Sequence, residues 1–214
     1  KITTIKEENN YLIILDSSGN SYSADKVIST IPPNLLVNSV VFEPKLPENF
    51  IQLAKTTHTW MGESIKFAVE YKTPFWKQNH YSGTIFSQAS IIQEMYDHST
   101  ATNCGFALKG FLNVGTAVLS KEDRKEKAIA QLTAFFGLEA TDYVAYYENV
   151  WREEPLTFQP YEQLVLAHQN NGHSLFKNPL LNEKLYVSGA ETATQSPGYM
   201  NGAIFAAKTL ASQF

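Results

Sequence analysis

The chain has 214 residues, 43% hydrophobic and 18% charged, with a formal net charge of −4. That length suffices for one large domain or two small ones with a real core. The acidic balance and the lack of any Lys/Arg run exclude a nucleic-acid face, and the longest apolar stretches fall far short of the roughly 20 residues that cross a bilayer. The single cysteine, Cys104, excludes an internal disulfide and a cysteine metal cluster. It leads to the expectation of a reducing, cytoplasmic compartment. The chain starts at Lys1, without methionine, as if already mid-fold, so a piece of a longer polypeptide is expected.

In chain order, Tyr11 to Leu15 is apolar and β-prone, Asp16 to Gly19 supplies turn chemistry, and Ser21 to Ala24 returns as a strand. Lys26 to Ile31 reads as a buried strand halted by Pro32 and Pro33, which cannot extend a ladder. Pro47 to Lys55 has helical character with proline near its first turn. Met61 to Tyr71 alternates, with Ile65, Phe67 and Val69 on one side and Ser64, Lys66, Ala68 and Glu70 on the other. Tyr81–Ser87, Ile91–Tyr96 and Phe106–Val114 read as further strands.

Ser120 to Phe136 is the clearest helix. Ser120 is placed to cap it, with Asp123 three residues on, and Gly137 to end it; Ala128, Ile129, Leu132, Phe135 and Phe136 share a face. Tyr143 to Val150 is another strand. Residues 152–180 form a long polar connection, of the kind that carries function more often than scaffold. Lys184 to Ser188 is a last short strand and Gly198 to Phe214 a last helix. The expected class is α+β, with one mixed, largely antiparallel sheet flanked by helices.

No two glycines stand one residue apart, so a GxGxxG fingerprint is absent, and no serine stands between two glycines as a GxSxG elbow requires. The five histidines (His58, His80, His98, His168 and His173) lack zinc-site spacing and read as ordinary surface or turn residues. Lys66 admits two readings, a lysine on the solvent side of a sheet or one aimed into a pocket to hold a water or polarise a neighbour. Tyr161 and Tyr199 are likewise either separate interfacial tyrosines or two walls of one cavity that present π faces to an amine. Trp151, Glu153 and Glu154 read as structural. Pro197 and Gly198 precede a helix whose first N–H groups are free for an electron-rich atom, or which simply packs on a sheet.

Five blocks carry a resemblance: Ala24–Pro33 (ADKVISTIPP), Gly62–Lys66 (GESIK), Tyr71–Trp76 (YKTPFW), Trp151–Glu154 (WREE), and SGAETAT followed by SPGYMNGA within Ser188–Ala203. In this order and spacing they resemble the C-terminal half of the flavin-containing amine oxidases, the monoamine and polyamine oxidase family. The resemblance spans essentially the whole chain. It implies a substrate-binding domain over 34–183, a remnant of the FAD-binding domain at both termini (strands in 1–33, a closing strand and helix in 184–214), and an absent N-terminal half with its GxGxxG fingerprint.

The resemblance also implies roles. Lys66 matches the lysine that reaches flavin N5 through a water. Tyr199 and Tyr161 match the two walls of the aromatic cage that orients the amine. Gly189, Ala190 and Glu191 fall where the family meets the ribityl and phosphate portion of FAD. Tyr199, Met200 and Ala203 open the helix facing the flavin pyrimidine oxygen, and Ile2 lies on a strand at the adenine side. Pro160 stands where monoamine oxidases place their flavin-linked cysteine, which implies non-covalent FAD. The expectations are an amine substrate for the parent, an inactive fragment without tight FAD, and self-association through the face left by the missing half. Two other readings stay open, a non-catalytic interaction module that keeps the fold and a related flavin-dependent desaturase.

Overall fold

The computed structural model describes residues 1–102 and 104–214. The elements run β1 (Ile2–Glu8), β2 (Tyr11–Asp16), β3 (Ser21–Ala24), β4 (Val27–Ser29), α1 (Pro33–Ser39), β5 (Val41–Glu43), α2 (Glu48–Lys55), β6 (Ile65–Tyr71) and α3 (Phe75–Gln78). They continue with β7 (Ile85–Phe86), β8 (Ile92–Asp97), β9 (Phe106–Leu112), α4 (Lys121–Phe136), β10 (Tyr143–Val150), β11 (Leu185–Val187) and α5 (Met200–Ala211). Two compact units form: residues 1–62 with 155–214, and residues 63–154.

The first unit holds two sheets. One has the order β3-β2-β1-β5, antiparallel except for the parallel β1/β5 pair; the other is the parallel pair β4/β11. The β2–β3 turn is tied by Asp16, whose carboxylate accepts from the Ser18 and Asn20 backbone N–H groups, both at 2.9 Å. Ile5 and Leu12 pack with Leu36, Val40, Phe50, Ala54, Phe176 and Leu185 in one apolar cluster. Within it the fully buried Phe50 meets Phe176 edge to face at 5.8 Å. Truncating such a ring costs about 3–5 kcal/mol. Helices α1 and α2 and the segment around Phe176 share their core with the terminal strands.

The second unit is a five-stranded antiparallel sheet, β10-β6-β9-β8-β7, with α4 on one face. The alternation in β6 holds: Ile65, Phe67, Val69 and Tyr71 are buried in the cluster that includes Leu132 and Phe136 of α4. Helix α4 begins and ends as expected, with Ser120 Oγ accepting from the Asp123 N–H and Gly137 at its end. Its buried stripe differs. Phe135 is exposed, whereas Arg124 and Gln131 are buried. Both polar groups are satisfied. Gln131 exchanges two hydrogen bonds with the backbone of Ile92 (2.7 and 3.0 Å), as a neighbouring strand would. Arg124 pairs with the buried Glu148 at 2.6 Å, and the Tyr146 hydroxyl donates to the other Glu148 oxygen at 2.7 Å.

Two expectations are corrected. The expected α+β class holds, but among the described residues the strands divide among three sheets rather than one. The strand expected over 81–87 shrinks to Ile85–Phe86, because the preceding loop wraps Trp76: the Tyr81 N–H donates to the Trp76 carbonyl at 2.8 Å. Among the described residues, no helix is long and apolar enough to cross a membrane.

Candidate functional site

In the first unit, the parallel strands β4 and β11 run side by side, with Ser29 opposite Val187. Ligand crevices in α/β sheets open at such carboxyl ends. Immediately beyond β11 the chain makes a 3-10 turn at Ala190–Thr192, closed by the Thr192 hydroxyl, which accepts from the Gly189 N–H at 3.0 Å. The Glu191 side chain is buried, and desolvation pushes its carboxyl above the ordinary glutamate range. On the paired strand β4, Ser29 Oγ is buried with no hydrogen-bond partner among the described residues.

Helix α5 follows the Pro197-Gly198 turn. Its N-cap residue is Tyr199, which makes no side-chain capping bond, so the first-turn N–H groups keep their donor capacity. The Gly198 N–H donates to the Ala190 carbonyl at 2.9 Å, fastening the helix start to the 3-10 turn. Gly198 has φ +81°, and a Cβ there would lie 2.8 Å from Trp60 Cβ. Glycine is therefore required twice over, by conformation and by contact. Met200 is exposed, and Ala203 is half-buried on the first turn.

Around Tyr199 stands a cluster of rings. His168 stacks on Trp60 at 4.4 Å and 20°, and on Tyr199 at 6.0 Å and 26°. Trp60 meets Tyr199 at 5.7 Å. His58 contacts His168 edge-on at 6.2 Å and stacks on Tyr161 at 6.5 Å. Tyr161 and Tyr199 thus join one aromatic assembly, linked through the two histidines. The Tyr161 ring also meets Phe158 at 6.0 Å, edge to face.

The loop carrying His168 is strapped on both sides. The His168 N–H donates to His58 Nδ1 at 3.2 Å, the His58 N–H donates to the Gln169 carbonyl at 3.0 Å, and the Gly172 N–H donates to the Glu191 carbonyl at 2.7 Å. With Nδ1 accepting, His58 carries its ring proton on Nε2 in this geometry.

The remaining expected residues lie on other elements. Ile2 begins β1, in a different sheet from the β4/β11 pair. Lys66 belongs to the second unit, on the exposed face of β6. There it lies in one cross-strand row with Glu94, Phe111 and Asn149, its Nζ 5.9 Å from the Phe111 ring centroid. Its strand face is the one expected, away from Ile65, Phe67 and Val69.

His58 and His168 are half-buried members of the ring cluster, and His168 sits in a turn, as one of the expected readings had it. Trp60 gave no motif signal at all. One signal was available: aromatic and imidazole side chains crowd the few residues before the Gly62–Lys66 block. No metal-binding group of three or more His, Cys, Asp or Glu residues occurs among the described residues.

The family model of the flavin containing amine oxidoreductases matches residues 1–213. This chain belongs to the flavin-containing amine oxidoreductase family. It is 32% identical over 204 residues to the human protein named amine oxidase [flavin-containing] B, covering 90% of the chain and 38% of that protein. It is 33% identical over 138 residues to putrescine oxidase of Kocuria rosea, covering 63% of the chain and 28% of that protein. The solved structure of wild-type putrescine oxidase bound to putrescine superposes with a TM-score of 0.84 at 27% identity, covering 99% of the chain and 47% of that structure. The chain therefore spans less than half the length of these amine oxidases.

The family's flavin can be tested against the residues present. A buried carboxyl, an unpartnered buried hydroxyl and an uncapped helix N-terminus suit the hydroxyls of a ribityl chain and the oxygen of a pyrimidine. No glycine-rich diphosphate loop accompanies them within the chain. The residues fit the flavin end of FAD, and a diphosphate cradle is not among them.

Proposed function

We propose that this chain supplies the substrate domain and the flavin-facing segment of an FAD-dependent amine oxidase carried by a longer polypeptide. The observation that carries the reading is Tyr199 at the mouth of α5, on a helix start fastened to the turn that buries Glu191. Glu191 accepts from ribityl hydroxyls, with Gly189 and Ala190 beside it. The first turn of α5, opened by Tyr199 and lined by Ala203, offers its N–H groups from Met200 onward to the pyrimidine oxygen. Ile2 contributes apolar surface on the adenine side. Lys66 holds the water that reaches N5. With Pro160 at the position before Tyr161, FAD is bound non-covalently.

When bound, the flavin supplies the two-electron acceptor for a hydride from the carbon bearing the amine, and O₂ then takes the electrons to give hydrogen peroxide. The chain's own residues prepare that transfer. Tyr161 and Tyr199 exclude water and orient a neutral amine by their π faces. The imine formed is hydrolysed. The relatives named for monoamines and putrescine make small primary amines the substrate class to try first.

Peroxide release from an amine panel by the full-length flavoprotein tests the reading. Peroxide from at least one primary amine supports it; reduction only by a hydrocarbon substrate would replace it with a desaturase. The 214-residue chain alone is expected to purify colourless and inactive, and a yellow chain with stoichiometric flavin would contradict the need for a missing half.

A further inference from the structure

We propose that Trp60 and His168 are positioning residues for Tyr199, a two-ring backstop that sets the plane of the tyrosine against which the amine is oriented. The functional consequence rests on the amine-oxidase reading above; the mechanical claim does not.

Tyr199 needs such a device. It is 50% exposed, it sits at a helix N-cap, and its side chain makes no capping hydrogen bond. A ring so placed is free to change rotamer unless packing stops it. Packing comes from His168, stacked at 6.0 Å and 26°, and from Trp60, tilted at 45° and 5.7 Å away.

His168 cannot owe its plane to Nδ1, which is buried and has no hydrogen-bond partner among the described residues. Its closest ring neighbour is Trp60, at 4.4 Å and 20°. The indole is therefore the base of the stack. Trp60 also bears on the backbone of Tyr199, because the turn at Gly198 lies directly on the Trp60 stem. The left-handed backbone of His168 (φ 61°) is locked by the His58 bonds described above. Both the ring and the backbone of Tyr199 are thus referenced to one residue, Trp60.

The substitutions follow from this geometry. Trp60→Leu removes the ring and keeps an apolar side chain, whereas Trp60→Phe keeps a stacking face. His168→Asn removes the imidazole yet tolerates the left-handed backbone. In full-length protein carrying 3-fluorotyrosine, the ¹⁹F transverse relaxation rate of Tyr199, assigned with Tyr199→Phe, reports how firmly the ring is held. Trp60→Leu and His168→Asn are expected to lower that rate about two-fold by freeing the ring. Trp60→Phe should keep it, and Tyr22, an exposed ring on β3, should not change in any variant.

In the flavin-loaded form, Trp60→Leu should lower kcat/KM for a primary amine about ten-fold, and Trp60→Phe should restore it to within about three-fold. An unchanged Tyr199 rate in both ring-deleting variants would overturn the proposal, as would equal losses in Trp60→Phe and Trp60→Leu. If Trp60→Leu does not fold, His168→Asn against Trp60→Phe makes the same comparison. If the unsubstituted holoprotein oxidises no amine, the functional reading fails, while relaxation in the flavin-free protein still decides the positioning role.

Discussion

The Tyr161 hydroxyl accepts the Thr59 backbone N–H at 2.8 Å. One residue of the candidate cage is thereby also the anchor of the segment that carries His58 and Trp60. The two duties separate by substitution. Tyr161→Phe keeps the ring stacked on His58 but leaves a part-buried N–H without its acceptor, a loss of about 1–2 kcal/mol in denaturant unfolding. Tyr161→Ala loses the ring as well, and amine turnover should fall further for Ala than for Phe. Equal turnover in the two variants would show that the ring face is not used.

Glu191 gives a pH signature. Desolvation raises its folded-state carboxyl above the ordinary value of 4.5. The native state therefore retains a proton that the unfolded chain gives up. Its contribution to stability is full below about pH 4.5 and is lost as pH rises through the folded value. Glu191→Gln should raise the flavin-free Tm at pH 8 and flatten its decline between pH 5 and pH 8. A Tm lowered by Glu191→Gln across that whole range would contradict a buried carboxyl held at a cost.

In the second unit, two ion pairs make opposite predictions. Arg124 and Glu148 are buried, with side-chain exposures of 5% and 2%, and Glu148→Ala leaves an uncompensated guanidinium. Urea unfolding should show a loss of about 3–5 kcal/mol. Arg152 and Glu63 are exposed on both sides, and Glu63→Ala should change stability by about 0.5 kcal/mol or less. Comparable losses for the two would refute the assignment of α4 and β10 as a polar-clamped pair.

Local periodicity carried the parts of this fold that local physics controls. The alternation of Ile65, Phe67 and Val69 was readable because one face of β6 is buried, and Ser120 and Gly137 marked α4 because caps are chosen by adjacent backbone. Pairing of distant strands has no such local signal, which is why three sheets read as one. The Tyr81 strand failed for a related reason: its loop answers to Trp76 through space.

At the candidate site, the turn after β11 and the start of α5 were legible because their residues are contiguous. The ring stack was not. The His58–Trp60 pair, His168 and Tyr199 lie far apart along the chain, and a test for metal spacing passes over histidines that stack.

The central claim is that Lys66 and the Tyr161–Tyr199 assembly serve a flavin oxidising an amine. Anaerobic mixing of the flavin-loaded full-length protein with a primary amine, followed by flavin absorbance, tests it most directly. The account predicts bleaching of the unsubstituted protein and at least about 100-fold slower bleaching in Lys66→Met. A flavin that stays oxidised with every amine, or one that Lys66→Met bleaches at the unsubstituted rate, would contradict it.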